Sequence, residues 1–316
     1  MSVLEGWEGW EGWEGWEGWE GWQGGPRPAS VPTLAASTEH LRELTVFGPP
    51  PGRGQPPHLP VNAGLRPLSA FARRYVVVAD LMSGVQFTRL ADGGVCIAVL
   101  GGMVEMPMPV SDGEGGAPFD PEKVVAKASL RAERSGEIIS QMVFNPMLWS
   151  TVLPLSPRRT PFTLELMTAV AMFGALLVQR TKLAFNQARP NELSPRVQPM
   201  ISTPGFSAYP SGHATESRLV SDLLLALLEG RMEGDWARDV GRMLRALSDR
   251  IAENRVVAGV HFPVDSLGGW AMADQLVVLL QARAGAKPSG AALPDTFAEL
   301  WSLARAEWAP PGGAAA

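Results

Sequence analysis

Four residue types that handle phosphate-like anions recur in the C-terminal half of this chain at suggestive spacings. His213 lies in "GFSAYPSGHATES", one of only four histidines in the protein. Ser211 is a natural helix cap, so the N–H groups around Ser211 and Gly212 would meet an anion at a helix N-terminus, with the dipole in its favour. His261 lies in "NRVVAGVHFPVDS", six residues after Arg255 and four before Asp265. Asp265, roughly one turn beyond His261, can hold one ring nitrogen and leave the other aimed at a bound group. Lys182 and Arg189 lie seven apart in "KLAFNQARP". Read as one helix, that spacing is two turns and puts both cations on one otherwise apolar face. Buried cations need anionic partners, and these segments supply few carboxylates. A bound tetrahedral oxyanion, clamped by Lys182, Arg189 and Arg255, fills that role. Two histidines flanking it divide into a nucleophile or axial ligand and an acid–base group.

The elements that would position these residues are helical. Asp120-Pro121 and Thr160-Pro161 each read as a cap followed by the first residue of a helix. The second helix is expected to run to Pro190. Ser211 starts another that ends near Gly230, and two more follow over "DWARDVGRMLRALSDRIAENRVV" and "PVDSLGGWAMADQLVVLLQARA". Upstream, "RYVVVADLM", "VQFTRL" and "VCIAVLGGMVEM" are rich in β-branched residues, with "ADGG" as a hairpin turn. The expected organisation is a Glu-Gly-Trp repeat tail over 1–23, a Pro/Gly-rich arm over 24–73, a small β segment over 74–118, a helical domain over 119–309 and a disordered C-terminus over 310–316. The fold class is therefore mostly α, a helical bundle with a small β appendage N-terminal to it.

Composition narrows the function classes. The formal charge is −5, but six glutamates fall in residues 1–23 and the remainder carries +1, which argues against a nucleic-acid binder. One cysteine, Cys96, allows no internal disulfide and reads as a small apolar residue in a reduced protein. No basic and apolar leader opens the chain. The apolar run 166–178 falls short of the ~20 residues of a membrane span. These features lead to the expectation of a cytoplasmic protein without a membrane span.

Lys182-x6-Arg189-Pro190, then Pro210-Ser211-Gly212-His213, then Arg255-x5-His261-x3-Asp265 resembles the three-part signature of the type 2 phosphatidic acid phosphatase (PAP2) and vanadium haloperoxidase superfamily. All three parts occur in order, with Asn254 where a serine often precedes the arginine. The resemblance implies a bundle of the acid phosphatase and haloperoxidase type. It implies that Lys182, Arg189 and Arg255 bind the equatorial oxygens and that Ser211 and Gly212 add hydrogen bonds. It further implies that His261 attacks phosphorus or ligates vanadium axially, that His213 is the acid–base group and that Asp265 orients His261. "YPSGHAT" after "PGFSA", with Phe206 seven residues before His213, is similar to the soluble haloperoxidase-like branch. The expected activity is therefore vanadate-dependent oxidation of halide by hydrogen peroxide, polarised through Lys182. The alternative is a phosphatase that hydrolyses a phosphomonoester through a phosphohistidine and needs no cofactor. The resemblance also implies a homo-oligomer.

Overall fold

In the computed structural model, residues 64–232, 234–285 and 295–309 are described. The expectations for residues 1–63 and 310–316 fall outside them. The first element, α1 (Ala70–Met82), overturns a reading: "RYVVVADLM" is helix, not strand. Ser69 caps it by accepting from the Ala72 N–H. Val77, Val78 and Leu81 are buried. Helix propensity costs each valine only about half a kcal/mol, whereas burying each apolar side chain returns roughly 1.5–3 kcal/mol. Tertiary packing wins. Arg73 on the same helix grips Glu165 with two bonds of 2.7 Å, so this carboxylate inside an apolar helix is paired.

Three antiparallel strands follow in the order β1 (Gln86–Arg89), β2 (Val95–Val99) and β3 (Gly102–Met106). The "ADGG" turn joins the first two, closed by Leu90 N–H to Gly94 O at 2.8 Å. "VCIAVLGGMVEM" is two strands folded at Leu100 and Gly101, both at positive φ (54° and 76°), as a two-residue hairpin loop requires. Val95, Ile97, Val99, Val104 and Met106 alternate onto one buried face.

Helices α2 (Pro121–Lys127) and α3 (Arg131–Ser140) lead into α4 (Pro161–Phe185). Asp120 caps α2 through the Glu122 N–H, as expected. The start of α4 is capped from far along the chain: Glu307 accepts from the Phe162 and Thr163 N–H groups at 2.7 and 2.8 Å. This helix stops at Phe185 rather than Pro190, because Asn186 adopts the left-handed conformation (φ 48°). Arg189 instead begins the short helix α5 (Pro190–Leu193) as its N-cap residue. Lys182 and Arg189 therefore do not share a helix face. The stretch Pro161–Leu193 holds an 18-residue window of mean hydropathy 1.8, long and apolar enough to cross a membrane by length and composition, with 78% of that window buried inside the protein. The expectation that no segment qualifies is corrected here.

Helix α6 (Gly212–Leu227) is the centre of the bundle, packed by α4, α7 (Gly234–Val257) and α8 (Pro263–Ala284). Helix α9 (Thr296–Ala306) closes one side against α1 and α4. The start of α6 rests directly on α8 at Gly269. A Cβ there would stand 2.7 Å from Ser211 O, 2.8 Å from Ala214 Cβ and 3.0 Å from Thr215 N. Two of these are backbone atoms, which cannot swing aside. Gly269→Ala is expected to cost about 1–3 kcal/mol and to lower Tm by several degrees in thermal denaturation. An unchanged Tm would show that α6 is not seated this tightly.

Candidate active site

The ends of α4 and α7, the loop after α4 and the starts of α6 and α8 meet at one place, and each delivers a charged or titratable side chain there. The last turn of α4 brings Lys182, buried, whose Nζ donates to Ser207 O at 2.6 Å and Ala208 O at 2.9 Å. The loop after it brings Arg189. Its Nε donates to Phe206 O at 2.8 Å and its Nη1 to Val260 O at 2.7 Å. The Phe206 ring lies 5.2 Å from both cations. The last turn of α7 brings Arg255, buried to 1% exposure, with Nη2 donating to Ile138 O at 3.0 Å. Among the described residues, these cations find carbonyl oxygens and no ion pair. Arg189 Nη2 and both Nε and Nη1 of Arg255 are buried without any acceptor. The Gly212 and His213 N–H groups at the start of α6 likewise have none among the described residues.

Hydrogen bonds fix the tautomers of both histidines. A carboxylate only accepts, so the contact of His261 Nδ1 with Asp265 Oδ2 at 2.8 Å puts the proton on Nδ1. A guanidinium only donates, so Arg189 Nη1, 3.2 Å from His261 Nε2, finds a lone pair there. Both neighbours demand the same ring state: Nε2 bare, Nδ1 held. Asp265 Oδ2 also accepts the Phe262 N–H at 2.8 Å, so one carboxylate caps α8 and aims the ring. His213 Nε2 faces the carbonyl oxygens of Gln141 (2.9 Å) and Met142 (3.2 Å). Its proton is therefore on Nε2, and Nδ1 is the nitrogen left to exchange one.

The electrostatics follow from burial among cations. Burial pulls Arg189 and Arg255 down to about 10. It takes Lys182 well below its ordinary value, with the Arg189 charge adding to the effect. His261 is held well below its usual range by burial and then by Arg189, Lys182, His213 and Arg255. His213 falls to about 3, through burial and then Arg255. Asp265 is lifted to about 7 by burial, against the Phe262 N–H, Lys182 and Arg189. A bound oxyanion would reverse much of this, restoring charge to the cations and basicity to the rings.

All eight residues singled out in the sequence are at this site, Ser211 as the N-cap of α6, where its side chain accepts from Ala214 N–H. The structure adds Gln141 and Met142, whose carbonyls hold His213. It also adds Asn254, whose amide donates to Gln141 Oε1 and Glu137 Oε2, both at 2.9 Å. No sequence spacing announces a backbone carbonyl 72 residues away. Glu216 is also new: it lies one helical turn after His213 and feels the Lys182 charge, and burial raises its carboxyl to about 8. A carboxylate three residues beyond His213 was the available signal. Among the described residues, no group of three or more His, Cys, Asp or Glu is placed to hold a metal ion.

Residues 162–282 match the family model described as the PAP2 superfamily. That match runs from α4 to α8 and includes Lys182, Arg189, Ser211, Gly212, His213, Arg255, His261 and Asp265. The match is to the superfamily and does not single out the soluble haloperoxidase-like branch. A crystal structure of a transmembrane PAP2-type phosphatidylglycerolphosphate phosphatase from Bacillus subtilis is similar, with 16% identity, 72% of this chain and 100% of that chain covered and a TM-score of 0.43. No curated protein sequence matches.

If the orphaned donors hold an oxyanion, inorganic phosphate will raise the Tm of the protein, by the equivalent of about 2.7 kcal/mol at a hundredfold excess over Kd. Arg255→Met should remove most of that shift. A wild-type Tm indifferent to phosphate would dismiss the anion site.

Proposed function

We propose that this protein is a PAP2-type phosphatase that hydrolyses a phosphomonoester through a phosphohistidine at His261. The observation that carries the reading is His261 itself: Nδ1–H tied to Asp265 and Nε2 unprotonated, accepting from Arg189 Nη1 at 3.2 Å among the buried cations. An unprotonated imidazole nitrogen is a nucleophile, and the cations attract the phosphoryl group to it.

In the first step His261 Nε2 forms a bond to phosphorus as the ester P–O bond breaks. Arg189, Arg255 and Lys182 offset the charge on the equatorial oxygens of the trigonal bipyramid, where preorganised donors matter most. The departing oxygen takes a proton from His213 Nδ1. The imidazolium this needs is disfavoured in the ligand-free site and favoured once the phosphoryl anion offsets Arg255. In the second step water gives a proton back to His213 Nδ1 and attacks phosphorus, releasing phosphate and freeing His261. Gln141, Met142 and Asn254 act by holding the His213 ring in place. The carboxylate of Asp265 steadies the proton on His261 Nδ1 throughout.

The same donors fit vanadate as well as phosphate, both being tetrahedral oxyanions; bound vanadate would supply peroxide activation. Nothing in the arrangement favours that chemistry over hydrolysis, which needs only these residues and water. The haloperoxidase expectation therefore yields to its alternative, with a phosphomonoester as substrate and no cofactor. The chemistry requires neither the homo-oligomer nor the cytoplasmic location expected from the sequence.

Para-nitrophenyl phosphate should be hydrolysed by the purified protein and orthovanadate should inhibit it. His261→Ala should lower kcat by at least about a thousandfold. His213→Ala should cost about 10²–10⁴ in kcat while leaving phosphate binding largely intact. Vanadate-dependent bromination without phosphate release would replace this reading, and full activity in His261→Ala would remove the nucleophile.

A further inference from the structure

Glu216 has no part in the mechanism above, yet it stands inside the same cluster. It lies on α6 one turn after His213. Its side chain turns back toward the N-terminus of the helix, as helical side chains do, so that Oε1 comes within 3.5 Å of where a Gly212 Cβ would be. The Gly212 N–H is one of the donors without an acceptor. An oxyanion accepting from it is therefore in reach of the Glu216 carboxyl. Among the described residues that carboxyl makes no hydrogen bond or ion pair. Lys182 faces it from α4 and is the charged group that acts on it. His213 on its own helix, Arg189, Arg255 from α7, and His261 and Asp265 at the start of α8 complete the titratable set around that lysine.

An ionised carboxylate beside a phosphoryl dianion would be repelled. A carboxylic acid would donate a hydrogen bond. We propose that Glu216 is a specificity-determining residue of the phosphate site, its carboxylic acid donating a hydrogen bond to a phosphoryl oxygen held over Gly212. The inference rests on the phosphate-site reading. The desolvation that lifts this carboxyl to about 8 keeps it protonated at neutral pH in spite of Lys182. A nearby dianion raises it further. The site thus accepts doubly charged phosphoryl groups while Glu216 is an acid and discriminates against them once it ionises.

Binding of inorganic phosphate, measured by calorimetry at pH 7 and pH 9 for wild type, Glu216→Gln and Glu216→Ala, tests this. Glutamine keeps a donor and cannot ionise. At pH 7 wild type and Glu216→Gln should agree within about twofold, and Glu216→Ala should bind about tenfold more weakly for want of a charge-assisted donor. At pH 9 the wild type should fall about tenfold behind Glu216→Gln, one pH unit above the ionisation being a factor of ten. Titration of Lys182 affects all three proteins and cancels to first order in the ratio. A ratio of wild type to Glu216→Gln that is the same at both pH values overturns the proposal, as does Glu216→Ala binding as tightly as wild type at pH 7. Wild type that binds phosphate with this pH pattern but hydrolyses no ester removes the phosphatase reading alone. Hydrolysis with an unchanged ratio removes Glu216 alone. Wild type that binds no phosphate overturns both.

Discussion

Three cations buried without a carboxylate of their own govern this structure. Taking an ammonium or guanidinium out of water costs several kcal/mol per ion, and Lys182, Arg189 and Arg255 are each 2% exposed or less. The chain offsets part of this with backbone carbonyls: Ser207 and Ala208 for the lysine, Phe206 and Val260 for Arg189, Ile138 for Arg255. Each such bond to a charged group contributes on the order of 1.5–3 kcal/mol. Nη2 of Arg189 and Nε and Nη1 of Arg255 stay unsatisfied, a deficit that the proposed anion would offset.

The same bonds are what hold the loops. Arg189 ties the segment after α4 to the turn before α8 and to the loop ahead of α6. Ser211 N–H donates to Asp265 O at 2.9 Å, joining the start of α6 to the start of α8. Folding and site assembly are thus one process: the carbonyls that satisfy the cations belong to the loops that carry the histidines. Asp265 shows this economy most clearly, since one buried carboxylate oxygen caps a helix and sets the tautomer of His261.

The two histidines differ in what holds them. His261 is fixed by charged neighbours on both nitrogens, which leave Nε2 as a lone pair. His213 is fixed on one side only, by carbonyls at the end of α3. That end is anchored in turn through Asn254 on α7, whose amide Nδ2 donates to both Glu137 and Gln141. The asymmetry matches the proposed division into nucleophile and proton carrier, with Glu216 one turn beyond the second of these.

The three motifs were legible because their residues lie within short segments whose spacing survives folding: Pro210 to His213 at one helix start, Arg255 to Asp265 across one turn. Caps at Asp120 and Ser211 were readable for the same reason, since a cap is a local bond. The valine-rich stretch before residue 82 misled because β-branched residues lean only weakly toward strands, and packing on α4 decided for helix. The two-turn spacing of Lys182 and Arg189 gave the right pair for the wrong reason. Asn186 breaks the helix between them, and a tertiary turn brings them together. The sequence by itself determined which groups belong to the site and the local turns that present them. Only the tertiary structure decided which nitrogen of each ring is free, which carbonyls satisfy the cations and where Glu216 lies, because each depends on contacts between segments far apart in the chain, which no local spacing encodes.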